Sequence, residues 1–175
     1  MSRIKTLALA SAAATTAALA LAAPASAWTG GPITATLSQP LTIESSIGGG
    51  TCTTSTLGGS VTPAGALTVN SASITGCSGD FPITVTTQNL PWGGNLGGTT
   101  ASITGFRVSA AITVPIFGNI TCIYGGNLSG SLSGSAPSVT ATFDTSVSKV
   151  NSGSHFFCPG TADITGQYTI TGSGL

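Results

Sequence analysis

Charge is what this chain has least of. Its 175 residues hold four Lys or Arg, four Asp or Glu and one His. Arg3 and Lys5 both lie in what reads as an export signal ending at Ala27. The remainder keeps Arg107 and Lys149 against Glu44, Asp80, Asp144 and Asp163, a formal charge of about −2. Two cations release too few counterions to hold a nucleic-acid duplex, so a binder working by phosphate neutralisation is excluded. Glu, Lys and Leu are too scarce for a coiled coil with charged flanking positions. No segment after Ala27 shows a helical apolar stripe with caps, and no second apolar run reaches the roughly 20 residues of a transmembrane helix.

The same scarcity limits chemistry. His155 is the only imidazole, and no G-x-S-x-G elbow occurs; Gly130-Ser131-Leu132-Ser133-Gly134 has its serines in the wrong places. A glycosidase needs two carboxylates facing across a cleft, but the four acids read as turn or wet-face residues, Asp80 within Ser78-Gly79-Asp80 being plain turn chemistry. Calcium would want clustered acids. His155 and Cys158 have an H-x-x-C spacing, and one such pair does not make a metal site. The expectation is a protein with no catalytic residues, no metal and no cofactor.

What is present points to export and to strands. A short positive start, an Ala/Leu-rich run from Leu7 to Ala23, and Ala25-Ser26-Ala27 as a small-x-small cleavage site form a secretory signal over residues 1–27. Residues 28–175, about 148 of them, are expected to form one domain, since a chain of that length buries roughly 70 % of its unfolded surface. Four cysteines suit an oxidising compartment. Of three connectivities, the expected one is Cys52–Cys77 and Cys122–Cys158, because sequential pairing closes short loops. In the loop-entropy account each bridge contributes roughly 3–4 kcal/mol. His155 becomes a loop residue near the second bridge.

Nearly half of the residues after Ala27 are Gly, Ser or Thr. Apolar side chains alternate with Thr and Ser at Ile33/Ala35/Leu37, Ile83/Val85, Val139/Ala141/Phe143 and Ile164/Tyr168/Ile170. The longest run is Phe106, Val108, Ala110, Ile112, Val114 and Ile116, with Pro115 expected to end its ladder. Gly pairs separate about eight to ten short strands. The fold class is therefore all-β: a single β-sandwich, Ig-like or jelly-roll-like, or a partly closed barrel, with two disulfides. Ala-Ser-Ile-Thr-Gly at 72–76 recurs at 101–105 and, as Ala-Asp-Ile-Thr-Gly, at 162–166. So Ser/Thr-rich a chain produces such matches cheaply; a real repeat would mark strands running into a Gly bulge.

Binding residues are sought among the aromatics. Trp92, in Leu90-Pro91-Trp92-Gly93, can plug the core or stack on a sugar. Tyr124 beside Cys122, and Phe156-Phe157 beside Cys158, are expected to meet around the second bridge. Trp92 and Tyr124 are the candidate site.

The segments Pro82-Ile83-Thr84-Val85-Thr86, Leu90-Pro91-Trp92, Ile103-Thr104-Gly105 and Cys122-Ile123-Tyr124-Gly125-Gly126 resemble a group of small secreted actinobacterial β-domain proteins, distantly like the alkane-oxidation-activator type. The likeness spans roughly residues 50–135. It implies a secreted β domain and supplies no catalytic residues. In size, composition and sequential disulfides the chain is also similar to the chromophore-carrying apoproteins of enediyne antibiotics, from which its cysteine spacing departs.

Two functions are compatible with these features. One is a secreted, non-enzymatic surface or extracellular-matrix protein whose partners are copies of itself or cell-envelope components. Edges guarded by a single Lys pair easily, and the strand around Ile33–Leu37 is a suitable donor. The alternative is a module binding a carbohydrate or a small apolar ligand.

Overall fold

In the computed structural model, residues 28–115 and 118–175 are described; the expected signal over residues 1–27 and Ile116 lie outside them. Nine strands form in order: β1 (Gly31–Ser45), β2 (Gly48–Val61), β3 (Ala66–Gly79), β4 (Ile83–Thr87), β5 (Trp92–Leu96), β6 (Thr100–Val114), β7 (Gly118–Ser135), β8 (Ser138–Lys149) and β9 (Thr161–Thr171). All pairings are antiparallel. Apart from β4, each strand pairs with the next in the chain, β3 with β5, and the ring closes where β9 meets β1, at Thr34↔Thr171 through Glu44↔Asp163. Eight strands thus form a closed up-and-down ring and β4 is an extra. The all-β expectation is met, and the strand pairing closes on itself.

The fourth strand of the meander is broken in two. β5 pairs with β3 on one side and β6 on the other. β4 continues the same line along β6, Ile83↔Ile112 to Thr87↔Val108, but makes no ladder with β3. Between them Asn89 takes a left-handed φ of 56° and Pro91 follows a cis bond. A proline lacks the N–H a ladder needs. Gln88 pins the break: its amide donates to the Arg107 carbonyl at 2.9 Å, and its own carbonyl accepts the Trp92 indole N–H at 2.8 Å. From Ser71 onward β3 and β4 run side by side, joined across the seam by Thr87 Oγ1 donating to Ala72 O at 2.9 Å.

The alternation read from sequence decides which side chains face inward. Ile33, Ala35, Leu57, Val69, Ile103, Phe106, Val108, Phe143, Ile164 and Ile170 are all buried in one core, while the intervening Thr and Ser face out. The Ile of each recurring pentapeptide, Ile74, Ile103 and Ile164, lines the small central cavity of that core, so the motif has a packing role on β3, β6 and β9. Close backbone approach explains two of the glycines: a Cβ on Gly94 or Gly130 would collide with the carbonyl of Ser102 or Thr142 across the ladder. The interior holds one buried polar pair, Tyr168 Oη donating to Ser55 Oγ at 2.9 Å, and no buried side-chain polar atom among the described residues lacks a partner.

Both disulfides form as expected. Cys52 and Cys77 face each other in the β2–β3 ladder, and Cys122 of β7 ties the β8–β9 connection at Cys158. β6 ends at Val114, directly before Pro115.

Candidate functional site

The two ends of the ring differ. At one end the first and last described residues close the interior: Trp28 and Leu175 are buried, the Trp28 indole donates to Leu96 O at 2.8 Å, and Gly30 N donates to Gly174 O at 3.1 Å. The other end carries the β1–β2 turn, the β3–β4 loop, the facing ends of β6 and β7, and the β8–β9 connection. There the core is not filled. A cavity of about 70 Å³ opens between these loops, walled by Ile43, Val85, Val108, Val147, Ala162 and Ile164, with Ile47, Phe81, Val114 and Pro159 at its rim.

The sequence builds this mouth from alternation that outruns the core. On β6 the inward series continues past buried Val108 and Ala110 to Ile112 and Val114, which are only half-buried where the β4 ladder ends at Ile83↔Ile112. A central core position would be covered on every side. Smaller voids of about 20 and 30 Å³ follow deeper in the ring. The first shares Ile164 with the mouth, and the second shares Leu57, Ile103, Phe143 and Tyr168 with the first.

Polar groups at the mouth are few. Tyr124 is 6 % exposed, and its hydroxyl donates to Pro159 O at 3.4 Å. Burial raises its pKa above the ordinary phenol value, because the charged form would be desolvated. Two charged groups lie next to the lining without belonging to it: Lys149 Nζ donates to the carbonyl of Cys158, the residue before rim Pro159, at 3.1 Å, and Asp80 Oδ2 accepts from Gly49 N at 3.1 Å. The β8–β9 connection is held firmly against β7: His155 N donates to Thr121 O at 2.8 Å, and Ile123 N donates to Ser154 Oγ at 2.8 Å.

The sequence candidates separate. Tyr124 lines the mouth. Trp92 is 1 % exposed in the middle of the core, its ring centroid 5.0 Å from that of Phe106. It takes the core-plug position and offers no face on which a sugar could stack. The second disulfide gathers Tyr124 and Phe156-Phe157 into one region but on opposite sides. Tyr124 points inward, whereas Phe156 is 75 % exposed, in a stack with His155 and Phe157. The aliphatic lining of the mouth was missed as a site. Its only sequence signal is the apolar series Phe106, Val108, Ala110, Ile112 and Val114 on β6, longer than one core layer needs.

The described residues contain no group of three or more His, Cys, Asp or Glu placed to hold a metal ion, and no helix long and apolar enough to cross a membrane. A family model described as alkane oxidation protein activator PraA/PraB-like matches residues 1–172, a wider span than the segments that carry the likeness in sequence. No curated protein matches. No solved structure matches.

Proposed function

Because the chain belongs to the alkane oxidation protein activator PraA/PraB-like family, we propose that it is a secreted, non-enzymatic binding module that takes a small apolar molecule in the mouth of its ring. One observation carries the reading: an apolar, unfilled opening at one end of the interior, with only smaller voids behind it. In this reading the ring acts as a barrel around a lumen rather than as two facing sheets, in the manner of small barrels that hold one ligand. The lining of the mouth is mostly aliphatic, so the apolar arm of the sequence expectation is favoured over the carbohydrate arm. A family named for alkane oxidation agrees with a hydrocarbon-like ligand. The test is uptake of an environment-sensitive naphthylamine dye and its displacement by decane or 1-decanol. Saturable, one-to-one displacement is expected; dye that neither binds nor is displaced removes the proposal.

A second reading, a self-associating surface or matrix protein, is favoured by two observations. β3 beyond Val69 and β4 present edges to each other without a ladder, and Phe156 is strongly exposed. Elsewhere the closed ring removes edges. The strand around Ile33–Leu37 is paired on both sides, with β2 and β9, so donating it would require opening the ring. Sedimentation velocity at low micromolar concentration without reductant separates the two, since a monomer at all concentrations excludes self-assembly.

A further inference from the structure

We propose that the mouth takes an alkyl carboxylate, its chain along the aliphatic lining and its carboxylate held at the rim by Lys149 Nζ and the Tyr124 hydroxyl. The inference rests on the reading of the mouth as an apolar-ligand site and names the class of ligand.

Tyr124 and Lys149 are register partners in the β7–β8 ladder, so their side chains leave the sheet on the same face. That face is the interior one: Tyr124 belongs to the core, and so does Val147, two residues before Lys149. The two donors end on adjacent carbonyls of one short segment, Lys149 Nζ on Cys158 O at 3.1 Å and Tyr124 Oη on Pro159 O at 3.4 Å. The second distance is well beyond the roughly 2.7–2.8 Å usual for O–H···O. The ammonium has three protons, of which that carbonyl takes one.

Both present acceptors are neutral. A carboxylate forms charge-assisted bonds roughly twice as strong, and its two oxygens can meet both donors at once. Tyr124 stays protonated through the neutral range, because burial disfavours phenolate, so it remains a donor. Asp80, the acid of the β3–β4 loop, has Oδ2 engaged by Gly49 N, and Arg107 is engaged by Gln88 Oε1 at 3.2 Å. An alkane would fill the lining and leave the two donors as they are. An alkanol has one oxygen and no charge. The alkyl carboxylate uses the apolar wall and the pair of donors together.

The experiment is calorimetric titration of the purified chain at pH 8 with sodium decanoate and with 1-decanol, repeated on Lys149→Gln, Lys149→Arg and Tyr124→Phe. Decanoate is expected to bind about tenfold tighter than 1-decanol, the scale of one charge-assisted hydrogen bond. Lys149→Gln abolishes that preference while 1-decanol stays within about twofold, Lys149→Arg restores it, and Tyr124→Phe weakens decanoate several-fold. Equal affinity for the two ligands in the parent, or a preference that survives Lys149→Gln, overturns the headgroup assignment and leaves the apolar site standing. Binding of neither ligand overturns both. Should Lys149→Gln fail to fold, salt decides: the decanoate preference must shrink between low and high sodium chloride, and a salt-independent ratio overturns the proposal.

Discussion

Filling the mouth should separate ligand binding from stability. Ala110 on β6 is 7 % exposed and faces the 70 Å³ opening. Ala110→Leu places three more carbons there. Cavity penalties of about 24 cal/mol per Å³ imply that an unfilled 70 Å³ costs at most ~1.7 kcal/mol. The opening reaches solvent, so the recoverable part is smaller, and misfit of a new branched side chain costs ~1 kcal/mol or more. The two nearly cancel. Folding stability is expected to stay within about 1 kcal/mol of the parent, a shift of roughly 2–4 °C in Tm for a domain of this size. Affinity for 1-decanol should fall by at least about tenfold, since the added carbons occupy the ligand's volume. The assay pairs urea unfolding with dye displacement on the same preparation. Unchanged affinity in a stably folded Ala110→Leu would refute the placement of the ligand in the mouth.

Three further outcomes are expected. Tyr168→Phe leaves Ser55 without its partner in the core and should cost about 1–3 kcal/mol in urea unfolding; adding Ser55→Ala should recover part of that loss, and strict additivity would contradict the pairing. Removing the second bridge with Cys122→Ser and Cys158→Ser should cost roughly 3–4 kcal/mol, given a sequence separation of 36, and should weaken any mouth ligand, because Pro159 and the Lys149 contact belong to the tethered segment. Burial raises the pKa of Tyr124 and Tyr168 in the folded state. The unfolded chain therefore releases these protons first as pH rises. Stability should be flat with respect to these groups below about pH 10 and decline from there through the folded values. Absorbance at 295 nm together with circular dichroism checks this, and reversible ionisation of both phenols near 10 with the fold intact would contradict it.

Much of the architecture was legible in the sequence because a strand states its own facing. The alternation of Val139, Ala141 and Phe143 with Thr140 and Thr142 fixes the inward side whatever the partner strand is. The cysteine pairing was legible for a related reason: Cys52 and Cys77 flank a single turn of the meander. Closure was not legible. It depends on β9 meeting β1 from the other end of the chain, and no local pattern distinguishes a ring from two facing sheets. The broken fourth strand was half visible, since Leu90-Pro91 signals an interruption but not that β4 stays on β6. The mouth was hidden for the same reason as closure: Ile43, Val85, Val108, Val147 and Ile164 come from five strands and converge only once the ring exists. Trp92 drew attention by residue type, and residue type cannot say whether an indole fills a core or faces water.

The most direct test of the central claim is methyl-resolved NMR of the chain titrated with 1-decanol. The account predicts saturable shifts of the Ile43, Val85, Val108, Val147 and Ile164 methyls at the mouth, with Val61 and Leu175 at the closed end unmoved. Shifts confined to the exterior around Phe156, or no saturable shift anywhere, would contradict it.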